Sequence, residues 1–165
     1  MKKKINWQLY LTLAALVLTT AAFLFPIGTG LVRTSTHGSL TLVENFRGYD
    51  FIFGNNANQI CSTGGFIGAF CLMVIAAVFQ LIACIFVIPN PEGSHNFAGF
   101  MNFVAGLCII ATGVIFIFTK SLSPISGGIN ATFKLGWGNL IAAACAILSG
   151  LISCVMGFAA MKKKA

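Results

Sequence analysis

The chain has 165 residues, of which 58% are hydrophobic and only 8% charged, and its mean hydropathy is +0.93. A soluble domain carries about 25% charged residues, so a water-facing globule is excluded and lipid is the expected solvent. The formal charge of +7 does not indicate nucleic acid, because six of the ten basic residues form the terminal triplets Lys2–Lys4 and Lys162–Lys164. That arrangement holds apolar spans at anionic headgroups.

The first apolar run is Trp7–Phe25, closed by Pro26. As a helix it rises about 28 Å, enough for a hydrocarbon core about 30 Å thick. It reads as a span rather than a cleaved signal, since the bulky Phe23–Phe25 follows the small Ala21 and Ala22. Residues 27–62 then form the one sizeable stretch that is not lipid-like. Within it, Leu31–Thr36 and Leu40–Phe46 flank Thr36-His37-Gly38-Ser39, which predicts a hairpin turning at His37-Gly38. That turn places Arg33 across from Leu42 and diagonal to Glu44. In Gly48–Gly54, Tyr49, Phe51 and Phe53 alternate with Asp50 and Ile52, a period of two that predicts a third strand.

Three further runs follow at about 65–87, 97–119 and 137–160, each long enough to span with some tilt. Pro26, Pro89, Pro91 and Pro124 all fall between runs, where a missing N–H does least harm. With the first residue inside, the two Lys triplets face Arg33, Arg47, Lys120 and Lys134 across the membrane, six basic residues against four. This predicts a plasma-membrane protein with both termini cytoplasmic and residues 27–62 outside. The second outer segment, Lys120–Lys134, contains Ser126-Gly127-Gly128 and reads as a flexible loop.

The expected fold is an all-α membrane protein, four transmembrane helices in a left-handed bundle with a small β-rich extracellular loop between the first two. Gly99, Gly106 and Gly113 recur every seven residues, as do Ala143, Gly150 and Gly157, and such stripes let helix backbones approach. Gln80 and Asn102 are the notable intramembrane polar residues, because an unpaired amide in hydrocarbon is costly. They read as interhelical hydrogen bonds before they read as a polar path. No Asp, Glu, Lys, Arg or His lies inside a run, so neither a proton relay nor a span-borne metal or haem site is expected. The six cysteines show no CxxC spacing and form no loop pairs, which argues against thiol–disulfide chemistry.

Four spans with a β-rich loop after the first resemble the layout of claudins and related tetraspan proteins. The claudin loop signature is absent, since residues 27–62 contain no Trp and Cys61 stands alone. The short chain, Lys-rich ends and Gly48–Gly54 segment are also similar to small four-span membrane proteins of Gram-positive bacteria, which implies no particular activity. The expected function is non-enzymatic and cofactor-free: a bundle that presents its loop to another membrane protein, or that stabilises an assembly or homo-oligomer. Arg47, Tyr49, Asp50, Phe51 and Phe53 are the candidate recognition residues, and the alternative for the three aromatics is that they plug the outer mouth of the bundle or lie in the interface as an aromatic belt. The alternative is a small transporter or channel subunit that acts as an oligomer.

Overall fold

The computed structural model describes residues 7–37, 40–55, 60, 62–88, 96–122 and 131–162. In chain order the elements are α1 (Trp7–Ala22), α2 (Leu24–Ile27), β1 (Thr29–His37), β2 (Leu40–Arg47), α3 (Gly48–Phe53), α4 (Gly64–Val87), α5 (Asn96–Ile117), α6 (Thr119–Leu122), β3 (Ala131–Leu135) and α7 (Trp137–Lys162).

Three helices, α4, α5 and α7, are long and apolar enough to cross a membrane. Their burial pattern is the reverse of a soluble helix. On α4 the exposed positions include Ile75, Val78, Leu81 and Ile85, whereas Ala69, Ala76, Gln80 and Ala83 are buried. On α7 the exposed Leu148, Leu151 and Val155 alternate with buried Ser149, Gly150 and Ser153. A surface of large aliphatic side chains around an interior rich in small and polar ones is stable in lipid and would aggregate in water. The protein is membrane-embedded.

The expected first span is divided. Helix α1 has 16 residues, rising about 24 Å, and ends at a turn where the Phe23 N–H donates to the Thr20 carbonyl. Pro26 lies inside the one-turn α2, where its lack of an N–H is harmless because first-turn donors have no helical acceptor.

The four longer helices close a ring: α1 packs against α4 and α7, and α5 packs against the same two. The most extensive contact is α5 on α7. Gly99, Gly106 and Gly113 of α5 there face Gly157, Gly150 and Ala143 of α7. A Cβ added at Gly106 would sit 2.8 Å from the Gly150 carbonyl oxygen, and one at Gly157 would sit 2.6 Å from that of Gly99. The two backbones therefore touch, with no room for a methyl group between them.

A three-stranded antiparallel sheet stands at one end of the ring, in the order β2-β1-β3. Two differences from the sequence reading stand out here. The hairpin register pairs Arg33 directly with Glu44 and His37 with Leu40, two residues along from the predicted pairing, so the connecting pair is Gly38-Ser39, outside the described residues. The shift is two residues, so each side chain stays on its predicted face, and Arg33 gains an ion pair with Glu44 supported by an Nε donation of 2.6 Å. The third strand also comes from Ala131–Leu135, at the end of the stretch read as a flexible loop, and pairs Arg33 with Phe133. The segment expected to supply it, Gly48–Phe53, is a helix.

Buried Leu31, Phe46, Phe51 and Phe66 plug the sheet end of the ring, and the Phe51 and Phe66 rings lie 5.4 Å apart. At the opposite end Ala83, Val87 and Ala98 form a smaller cluster.

The α5–α7 seam makes a direct prediction. Gly106→Val forces two backbones apart and should destabilise the protein by about 1–3 kcal/mol, read as a lower melting temperature in detergent. Gly68→Ala on α4, where an added Cβ meets nothing within 4 Å, should leave the melting temperature unchanged or slightly raised.

Candidate functional site

Two regions hold chemistry, the sheet end and the polar interior of the ring. At the sheet end, β2 runs straight into α3. The Arg47 backbone N–H donates to Asp50 Oδ2 at 2.9 Å, and Asp50 Oδ1 accepts from Asn55 Nδ2 at 2.8 Å. An acid three residues after the N-cap satisfies a first-turn donor and helps to nucleate a helix that is only six residues long. The helix ends at Gly54, whose φ of 82° suits a residue without a side chain and whose N–H donates to the Asp50 carbonyl at 3.0 Å.

The helical turn of α3 separates the side chains that a strand would have aligned. Phe51 is fully buried and Asp50 is 3% exposed, with both its oxygens engaged within the chain. Neither is available to a partner in this conformation. Arg47, Tyr49 and Phe53 are exposed, and the Phe53 ring meets Phe70 of α4 edge-on at 6.0 Å. The single face expected of Tyr49, Phe51 and Phe53 is thus divided between core and surface.

Farther along β2, Leu40, Leu42 and Val43 are 72%, 56% and 58% exposed. Among the described residues β2 pairs with β1 alone, which makes it an edge strand. Apolar residues on an open edge are a docking template unless something covers them. The apolar run flanking the turn predicted the strand without predicting that its far half stands clear of the helices.

In the ring interior, side-chain amides cross between helices that are not neighbours. Asn102 Nδ2 of α5 donates to Thr12 Oγ1 of α1 at 3.1 Å. Gln80 Nε2 of α4 donates to Ser153 Oγ and Ser149 Oγ of α7 at 2.9 and 3.2 Å. Ser149 in turn donates to the Ala15 carbonyl at 2.7 Å, so it accepts from Thr19 at 2.7 Å. Nearer the sheet, Asn139 Nδ2 donates to the Phe116 carbonyl at 2.7 Å. Thr12, Ser149 and Ser153 complete the arrangement but carry only a faint sequence signal. Ser149 and Ser153 are spaced i, i+4 on the strip of α7 next to the Gly150 and Gly157 stripe, and that placement was the available clue.

Among the described residues no group of three His, Cys, Asp or Glu side chains is placed to hold a metal. The cysteines other than Cys61, which lies outside the described residues, are free thiols. No protein-family model and no curated protein matches the sequence.

Asp50 is the keystone of the α3 turn. Asp50→Ala should cost about 1–2 kcal/mol and speed amide hydrogen exchange over residues 48–55. Glu44→Gln, at a side chain that is 43% exposed, should cost less than about 1 kcal/mol.

Proposed function

We propose that the protein is a non-enzymatic four-span membrane protein whose sheet end recognises another membrane protein. The observation that carries this reading is the exposed apolar edge of β2, on a sheet that draws on separate parts of the chain. Leu40, Leu42 and Val43 supply apolar anchors, and Arg47, Tyr49 and Phe53 supply polar and aromatic contacts closer to the helix ends. A strand added alongside β2 would use its unpaired backbone groups and alternate side chains together.

In this reading α1 and α2 make the remaining crossing. The stretch Trp7–Ile27 is about 30 Å long when helical, and α1 follows α7 from Thr19–Ser149 downward. Four crossings place both Lys-rich ends on the cytoplasmic face of the plasma membrane and the sheet outside. Contacts that recur every seven residues along α5 and α7 favour a left-handed crossing near +20°. The transport alternative draws on the polar interior, yet both of its amides already donate across the ring and hold opposite helices together.

Gentle extraction from the native membrane tests recognition. A stoichiometric partner is expected to co-purify with the wild type and to be reduced at least tenfold by Leu42→Lys, with folding unchanged. A homogeneous homo-oligomer without a partner, insensitive to Leu42→Lys, would instead favour transport. Topology has its own check: a membrane-impermeant thiol reagent added to intact cells should label Leu42→Cys, while Lys162→Cys should react only after permeabilisation, both in a background lacking the other cysteines.

A further inference from the structure

Two carbonyl oxygens inside the ring, Gln80 Oε1 and Asn102 Oδ1, are buried without a hydrogen-bond partner. Their residues are 0% and 1% exposed. Each amide points its nitrogen at an opposite helix, Gln80 toward Ser149 and Ser153 and Asn102 toward Thr12. Because an amide is planar, each oxygen is turned away from that contact. The α4-to-α7 bridge and the α1-to-α5 bridge are the two diagonals of the ring, so both amides lie near its axis.

Their heights follow from the same bonds. Ser149 is tied to Ala15, and Asn102 to Thr12, one helical turn earlier on α1. Successive turns lie about 5 Å apart. The two bridges therefore cross the ring at neighbouring levels, and a water molecule that donates two O–H···O bonds of about 2.8 Å is of a size to link acceptors on such levels. Orphan acceptors call for donors, and water brings two. A metal cation fits poorly, because Mg²⁺ and Ca²⁺ take six or more oxygens. Here the neighbouring hydroxyls of Thr12, Ser149 and Ser153 already receive N–H donors. Gln8 Nε2, a buried donor without a partner on the preceding turn of α1, adds a group able to donate to a water oxygen.

We infer that an ordered water molecule sits on the ring axis and donates one hydrogen to Gln80 Oε1 and the other to Asn102 Oδ1. It links the two diagonals into one network that joins all four longer helices. The inference is independent of what the sheet binds.

Nuclear magnetic resonance of the ¹⁵N-labelled protein in lipid nanodiscs tests it. Cross-peaks from water to the side-chain amide protons of both Gln80 and Asn102 are expected, unchanged when sodium is replaced by potassium or choline. Asn102→Leu should abolish the Gln80 cross-peak although Gln80 itself is intact, and Gln80→Met should abolish that of Asn102. The reciprocal variant serves if the first does not fold. Absence of both cross-peaks in the folded wild type would overturn the inference. So would a Gln80 cross-peak retained in Asn102→Leu, which would mean separate waters. A sodium-dependent shift of these signals would also overturn it, in favour of a cation.

Discussion

Everything in this protein depends on how closely α5 and α7 approach. Hydrocarbon tails are as apolar as leucine, so burying aliphatic surface between helices gains nothing over leaving it in lipid. What remains is van der Waals contact at short range and hydrogen bonding out of reach of water. Gly99 and Gly106 against Gly157 and Gly150 supply the first, since any side chain at these positions would collide with backbone atoms. The short distance also decides the second. Gln80 and Asn102 reach hydroxyls on opposite helices only because the interior is lined with alanine and glycine, which keeps the ring narrow.

The sheet depends on the same approach. Gly28 and Gly138 lie so close that a Cβ on either would come within 2.8 Å of the other's Cα. The Gly136 N–H donates to the Gly30 carbonyl at 3.0 Å. The root of β1 is thereby fixed to the start of α7, and β3 enters α7 through a single residue, Gly136. A hairpin alone would be marginal in water. Pairing its inner strand with β3 and seating Leu31 and Phe46 on the helix ends makes a platform that holds the far half of β2 away from the helices.

Much of this was legible in the sequence. Lipid-facing runs, the small-residue stripes and the importance of Gln80 and Asn102 follow from composition and spacing, because those signals repeat over many residues. Short elements were harder. Six residues from Gly48 fit a period of two or of 3.6 equally well, and the deciding feature was Asp50 three positions after Arg47, where it caps a helix. The alternation Thr132-Phe133-Lys134-Leu135 was visible, but its partner β1 lies about 100 residues earlier, and local patterns do not encode distant pairing. The hairpin register turned on the choice between adjacent two-residue loops, which the Arg33–Glu44 ion pair resolves in favour of the later one.

The polar interior bears on function through what its groups are already doing. A conducting path needs ligands that can exchange one partner for another with little cost. Here each amide nitrogen is engaged across a diagonal, and Ser149 accepts from two donors while giving its own proton to Ala15. A solute moving along the axis would have to break both diagonals in succession. The phenylalanines at the sheet end would also have to move, since Phe51 and Phe66 fill that mouth. A ring closed in this way is suited to carrying a rigid platform, which is why the proposed recognition role rests on the exposed residues of β2 and α3 rather than on the ring interior.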